Sequence, residues 1–532
     1  MPAIRAFCGA IKKQKNKQMK RSSLYINLLI GTALLLSSCT KNFDSINTNP
    51  DASVNASAPG LANTMIVNIT ASDISGTKSF CQPFLLGKYL IWTEDQESYQ
   101  YNKITRNSFS RITLLRNIPK MIAYADQDTS NIHFAYEGLG HFIRAWQFYQ
   151  LTMQVGDIPY SEAVEGEQGN IKPKYDSQKD VFIGILKELD SANLLFAKAG
   201  KFAGDIIYKG EPDQWRRLAN SFELNVLLQL YKKTSDADLN VIARFKDIAQ
   251  NRPLMRDYND NFAVTYQNAA GLCYPWSNTP TQINSFVIYP MLTSTLINPL
   301  KALQDRRLFY YAEPAQSKIK AGANASSWDA YVGNEPSDPI GTLKTAHNNG
   351  AFCDFNKRYV NLFNAEPVGQ FNYWDAQFAL AEGAVRGWLP AADAETYYEA
   401  GIKGSMNFIV NYTDASYAHG MPIDDAYITA YLAGVKLTGS TENMLDQIIT
   451  QKYLANFMQD VDYMAWYDNR RTGYPKFVLN TSTNLNTPNT NFPLRWMYPQ
   501  SELDYNGDNV AAAIQSQYGG SDDVNKVMWI LQ

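Results

Sequence analysis

The chain has 532 residues, with 48 Lys and Arg against 51 Asp and Glu, a net charge of −3. A chain this long forms one large domain or several ordinary ones, and a near-neutral to acidic balance argues against nucleic acid as the partner. Five cysteines are too few and too scattered for a disulfide framework.

The first 38 residues read as a leader. Lys20-Arg21 precedes an apolar run from Leu24 to Leu36, and Ser37-Ser38 lead into Cys39. A basic start, a short apolar stretch and small residues before a cut describe a secretory signal peptide. Leu36-Ser37-Ser38-Cys39 resembles the bacterial lipobox, in which the Cys is lipidated and becomes the new N-terminus. The run is short for a membrane-spanning helix, which needs about 20 residues. Met19 offers an alternative start. Residues 1–38 hold seven Lys or Arg and no acid, so removing them takes the charge from −3 to about −10. The membrane contact expected is therefore an acyl chain on Cys39 rather than a basic patch. An uncleaved anchor helix is the alternative. Residues 39–60, rich in Asn, Ser, Asp and Pro, read as a flexible tether.

Helical periodicity dominates the body, taken as one unit over 61–532. Leu139, Phe142, Ile143, Trp146, Tyr149 and Met153 recur at spacings of three and four until Gly156 and Pro159 stop the helix. Ser177 and Asp180 form a capping box ahead of Phe182, Ile185, Leu189, Ala192 and Phe196. Asp213 is placed to cap a third helix over 214–233, whose apolar face is wide enough for burial. Between 252 and 360, eight prolines and frequent Gly, Asn and Ser predict loops, short helices and a short strand pair. Loops of that length on a rigid scaffold are where binding surfaces sit. Helices return at 374–388 and 392–412, and Ala381, Gly387, Ala394 and Tyr398 give this pair a tetratricopeptide-like pattern. A further helix is expected at 442–459, opening at Ser440 or Thr441. Loop is expected from 476, with Trp529-Ile530-Leu531 packing back. The fold class is thus all-α, a scaffold of helix pairs carrying a long irregular region.

Catalytic and metal motifs are missing from this reading. The histidines His133, His141, His347 and His419 are scattered, and no zinc, phosphate-loop or nucleophile-elbow pattern occurs. Asp257-x-Asn259-x-Asn261 starts like a calcium loop but has Phe262 where the turn needs Gly. No cofactor or metal is expected. The 33 Tyr, 25 Phe and 10 Trp are a better lead, because flat sugar faces stack on aromatic rings. Trp92, Tyr274, Trp276, Trp328 and Tyr331 fall in loop contexts, with Gln96, Asn278, Asn324 and Asp329 close in sequence. Any one ring is more readily core packing; as a set they are the candidate ligand-binding residues. Cys81, Cys273 and Cys353 are expected as buried thiols or one bridge and a spare.

Several strings resemble the SusD/RagB family of nutrient-binding outer-membrane lipoproteins. They are FDSINTNPD (43–51), IRAWQFYQLTMQVGDIPYSEA (143–163), PKYDSQKDVFIGILKELDSA (173–192) and DIIYKGEPDQWRRLANSFELNVLLQL (205–230). YYEAGIKGSM within 374–410, QIITQKYLANFMQDVDYMAWYDNRRTGYP (447–475) and FPLRWMYPQSELDYN (492–506) follow. Their joint order carries the resemblance; most of these residues read as fold markers. Arg470-Arg471 in particular is expected to clamp carbonyls or acids at a helix end. The resemblance implies an all-α tetratricopeptide-like body with a looped ligand face. It also implies a non-catalytic role in capturing an oligosaccharide, or in some members a peptide, for delivery to a TonB-dependent SusC-like β-barrel transporter. Location at the outer membrane, facing the exterior, follows from the same resemblance. Two other classes stay open: a lipid-anchored glycoside hydrolase, and a tetratricopeptide-like scaffold that binds only protein.

Overall fold

The computed structural model describes residues 56–71, 79–127, 130–269, 272–277 and 288–532. The leader, Cys39 and most of the tether lie outside the described residues. Ser57–Gln532 forms one compact unit. Among the described residues no helix is long and apolar enough to cross a membrane.

The longer helices are α1 (Ala58–Thr70), α2 (Asn117–Ala125), α3 (His133–Val155), α4 (Gln178–Phe196), α5 (Pro212–Gln229), α6 (Val241–Asn251) and α7 (Ser294–Ala302). The series continues with α8 (Tyr373–Val385), α9 (Ala394–Tyr412), α10 (Asp425–Gly434), α11 (Thr441–Ala455), α12 (Met464–Thr472) and α13 (Gly507–Tyr518). The antiparallel pairs α3–α4 and α8–α9 are the most extensive packings. α5 joins them by touching both α4 and α8, and α11 packs on α8 and α9. The all-α, tetratricopeptide-like reading is what the structure has.

Local chemistry sets the helix ends. Ser177 accepts from Asp180 N at 3.2 Å and opens α4. Ser440 does the same for Asn443 N at 3.3 Å and opens α11. α5 departs from expectation: Glu211 is its cap residue, without a side-chain bond, and Pro212 takes the first position, leaving Asp213 inside the first turn. Proline suits that place because its fixed φ is already helical and its missing N–H would have no partner there. α3 ends at Gly156, φ 96°, where an added Cβ would lie 2.1 Å from Gln517 Oε1. Gln517 belongs to α13, in the tail expected to be loop. The tail instead forms helix that seals the end of α3, with Tyr518 donating to Val155 O at 2.6 Å. Ile530 packs back into the core as expected.

The arginine turn clamps as expected. Arg470 donates to Met153 O at 2.6 Å and Leu494 O at 2.9 Å, tying α12 to the last turn of α3. Arg471 bonds Glu382 on α8 and Asp468 on α12. Trp215 is fully buried on α5 and its indole donates to Asp205 at 2.8 Å. Asn220 reaches Asn193 Oδ1 and Pro253 O, and Arg217 pairs with Asp260 at 3.2 Å.

The strands are short. β1 (Leu90–Trp92) pairs antiparallel with β3 (Pro290–Leu292), and β2 (Phe262–Val264) with β4 (Val368–Phe371). The two strands inside 252–360 therefore pair with segments outside that region, not with each other. The pairings tie the irregular region to segments that flank it in sequence, β1 before it and β4 after it. Cys81 and Cys353 are buried, and Cys273 and Cys353 are free thiols; burial pushes the Cys353 thiol up to about 12. Asp257 caps a short helical turn by accepting from Asn259 N at 2.8 Å.

Candidate functional site

The five aromatic residues chosen from the sequence share one hydrophobic cluster, but four do not present an open face. Trp92, Tyr274 and Tyr331 are fully buried and Trp276 is 5% exposed. Trp276 sits edge-on to Phe80 at 4.9 Å and Phe84 at 5.8 Å. Tyr274 stacks on Tyr359 at 6.0 Å. Tyr331 meets Phe309 edge-on at 5.1 Å, and its hydroxyl donates to Ala325 O at 2.9 Å. Trp92 Nε1 donates to Glu94 at 3.1 Å. Trp328 alone of the five stays half-exposed, its ring centroid 4.7 Å from that of Phe309. The reading of Trp92, Tyr274, Trp276 and Tyr331 as a stacking face is corrected to core in this structure. An irregular backbone has no periodic apolar stripe, so its loops condense around large rings instead. Gln96, Asn324 and Asp329 beside them are exposed; Asn278 lies outside the described residues.

A large concave surface lies elsewhere, a cleft of about 950 Å³ where α1, residues 99–117, α3, residues 460–463 and Trp496 converge. One wall is a stripe of glutamines on α3. Gln147, Gln150 and Gln154 recur at spacings of three and four, so they share one face and span about 10.5 Å along the axis. They are 4%, 6% and 6% exposed. Among the described residues the Oε1 atoms of Gln147 and Gln150 have no hydrogen-bond partner, an arrangement that normally costs stability unless something else uses the group. Gln154 is held: its Oε1 accepts from Asn107 Nδ2 at 2.6 Å and its amide faces Asp462 at 3.5 Å.

The opposite end is acidic. The chain between α11 and α12 turns with left-handed backbone at Met458 and Asp462. Gln459 ties it to β4, accepting from Gly369 N at 2.8 Å and donating to Glu366 at 3.0 Å. That anchoring brings Asp460 and Asp462 to the cleft, where Gln370 donates to Asp460 at 3.1 Å. Burial raises the Asp462 carboxyl above the usual range, and Arg111, 3.9 Å away, pulls it partly back. Arg106 is committed to Tyr498 O at 2.8 Å and Asp522 at 2.9 Å. The aromatic lining comes from Phe80, Tyr99, Trp146, Tyr463 and Trp496. Tyr463 and Trp496 lie 4.7 Å apart, and the Trp496 indole donates to Tyr99 OH at 3.1 Å, fixing a ring that is only half-buried. The sequence reading does not reach this site, because loop aromatics give the stronger sugar-stacking signal. The readable signal was the polar repeat Gln147-x-x-Gln150-x-x-x-Gln154 inside a helix otherwise built for burial.

Amides, carboxylates and a fixed ring can bind and orient a polar ligand by hydrogen bonding and stacking. Among the described residues no group of three His, Cys, Asp or Glu side chains is placed to hold a metal.

The fold is a helical-repeat body that carries an amide-lined cleft. The comparisons make it specific. A family model, SusD-like, described as starch-binding and associating with the outer membrane, matches residues 50–499, so the chain belongs to the SusD-like family. A SusD homologue from Bacteroides fragilis is 43% identical with a TM-score of 0.85, covering 90% of this chain and 100% of that one. A second from the same species is 33% identical, TM-score 0.78, with coverage of 90% and 100%. A chitin-binding SusD homologue from Flavobacterium johnsoniae, 21% identical over 89% of this chain and 98% of its own, shares the fold with a TM-score of 0.67. No match was found among curated proteins.

Proposed function

We propose that this chain is a non-catalytic lipoprotein, anchored through Cys39 and facing the cell exterior. It captures glycan and passes it to a TonB-dependent SusC-like β-barrel transporter. The observation that carries the reading is the family match over 50–499, whose description joins starch binding to the outer membrane. The cleft supports it, since neutral amides beside a fixed aromatic ring are the groups that a hydroxyl-rich ligand needs. The lipobox-like segment supports the anchor.

The test has two arms. The protein purified from native membranes is expected to bring a large β-barrel with it. Calorimetric titration with polysaccharides, oligosaccharides and peptides is expected to show saturable glycan binding with the ligand recovered intact. Glycan cleavage abolished by changing one carboxylate would replace capture with hydrolysis. Binding of peptides alone would replace the glycan.

A further inference from the structure

We propose that the glutamine stripe of α3 is the glycan-reading element, and that the cleft takes an uncharged, linear glycan segment lying along the helix. This rests on the glycan-capture reading above.

Three observations carry it. First, Gln147 and Gln150 are more than nine-tenths buried, line the cleft, and each leaves an amide oxygen without a partner among the described residues. A body that needed these residues only for packing would do better with apolar side chains of the same shape. Primary amides offer both donors and acceptors, which suits hydroxyls, themselves both donors and acceptors. Second, the stripe is linear: about 10.5 Å separates Gln147 from Gln154 along the axis, a span that successive rings of an extended chain can follow. Tyr99, held by Trp496, supplies a stacking face beside it. Third, the charges disfavour an anionic sugar. Asp460 and Asp462 form one end, Arg106 is committed to Asp522 and Tyr498 O, and Arg111 faces Asp462. Arg116, at the exposed rim, is the exception.

The experiment uses the intact protein with maltohexaose, cellohexaose and xylohexaose as neutral linear probes and an oligogalacturonate as the charged one. Gln147→Met and Gln150→Met remove the amides at nearly constant length. Each is expected to weaken binding of the preferred neutral probe by about 3- to 10-fold, since a net hydrogen bond contributes about 0.5–1.5 kcal/mol. The melting temperature should stay level or rise, because an unpaired buried carbonyl is removed. A merely structural role predicts the reverse, a lower melting temperature with affinity intact. Thr64→Trp, an exposed position at the mouth on α1, is expected to block binding without touching the core. This variant decides the matter if the methionine variants lose stability. Unchanged affinity in Thr64→Trp overturns the assignment. So does tighter binding of the oligogalacturonate than of every neutral probe. If the unaltered protein binds and only Trp328→Ala loses binding, the site lies on the loop face and capture still stands. If the unaltered protein binds no glycan at all, the capture reading itself fails.

Discussion

The α3–α5 half and the irregular region around 290–371 both bury large aromatic sets, yet they satisfy their backbones differently. In α3–α5 the hydrogen bonds close within each helix, and side chains are left to pack: Phe142, Trp146, Trp215, Phe222 and Phe262 meet at centroid distances of 4.7 to 6.3 Å. In the irregular region many carbonyls have no helix to close on, and buried arginines bond loop carbonyls or neighbouring side chains instead. Arg358, fully buried, donates to Tyr310 O at 3.1 Å and Ala365 O at 3.3 Å while pairing with Glu366 at 2.6 Å. Arg307, also fully buried, joins Asp305 at 2.5 Å and Ser405 at 2.9 Å, and also reaches Gln451. Both halves bury apolar area, and the irregular half adds buried arginine hubs that tie its loops together. Damage should therefore scale differently in the two.

The comparison is broken most severely at a hub. Arg358→Met leaves Glu366 buried without its cation, and burial already raises that carboxyl above the usual range. The expected loss is about 4 kcal/mol in denaturant unfolding; less than 1 kcal/mol would mean that the hubs are decorative. In the helical half, Phe222→Ala should cost about 3 kcal/mol, spread over neighbours that can partly collapse. A loss as large as that of Arg358→Met would erase the distinction.

A third change sharpens the comparison through pH. Lys88, fully buried, donates to Gln100 O at 2.6 Å and Asn102 Oδ1 at 2.8 Å. Burial lowers its ammonium to about 7, with Glu335 offsetting a little, while the unfolded chain keeps the proton to near 10.5. Below about 7 the folded state carries a buried charge. Between the two values the unfolded state binds the extra proton, so this group makes stability rise with pH. Lys88→Met should therefore compare most favourably with the unaltered protein near pH 6, and that advantage should shrink by about pH 9. A difference in melting temperature independent of pH would remove the buried charge from the account. The smallest effect is expected at a helix end, where Ser177→Ala should cost about 1 kcal/mol. Thermal melts at neutral pH would check it, and no change would show that Asp180 and the α3–α4 packing hold the end alone.

Elements whose information is local were legible. Ser177 and Ser440 name their helices because a hydroxyl next to an amphipathic run has one obvious use. Gly156 marks a stop because few other residues accept its backbone. Helix α13 was not legible, since its stability comes from sealing α3, several hundred residues away in sequence. The strands of the irregular region could not be paired from sequence because three residues carry no register. The same limit applied to the candidate site. Trp92, Tyr274, Trp276 and Tyr331 look identical in sequence whether they face solvent or core, and only packing around Phe80, Phe309 and Tyr359 decided the matter.

The sequence by itself determined the class of fold, the helix-pair scaffold and the family, because periodicity, caps and ordered motif strings are properties of the chain alone. Where a ligand can enter was decided by tertiary structure. Three glutamines one helical face apart become a binding wall only when the 460–463 turn, anchored to β4 by Gln459, brings Asp460 and Asp462 to the far end. A stripe on a helix specifies direction and spacing, whereas a cleft needs a second surface, and long-range contacts supply it.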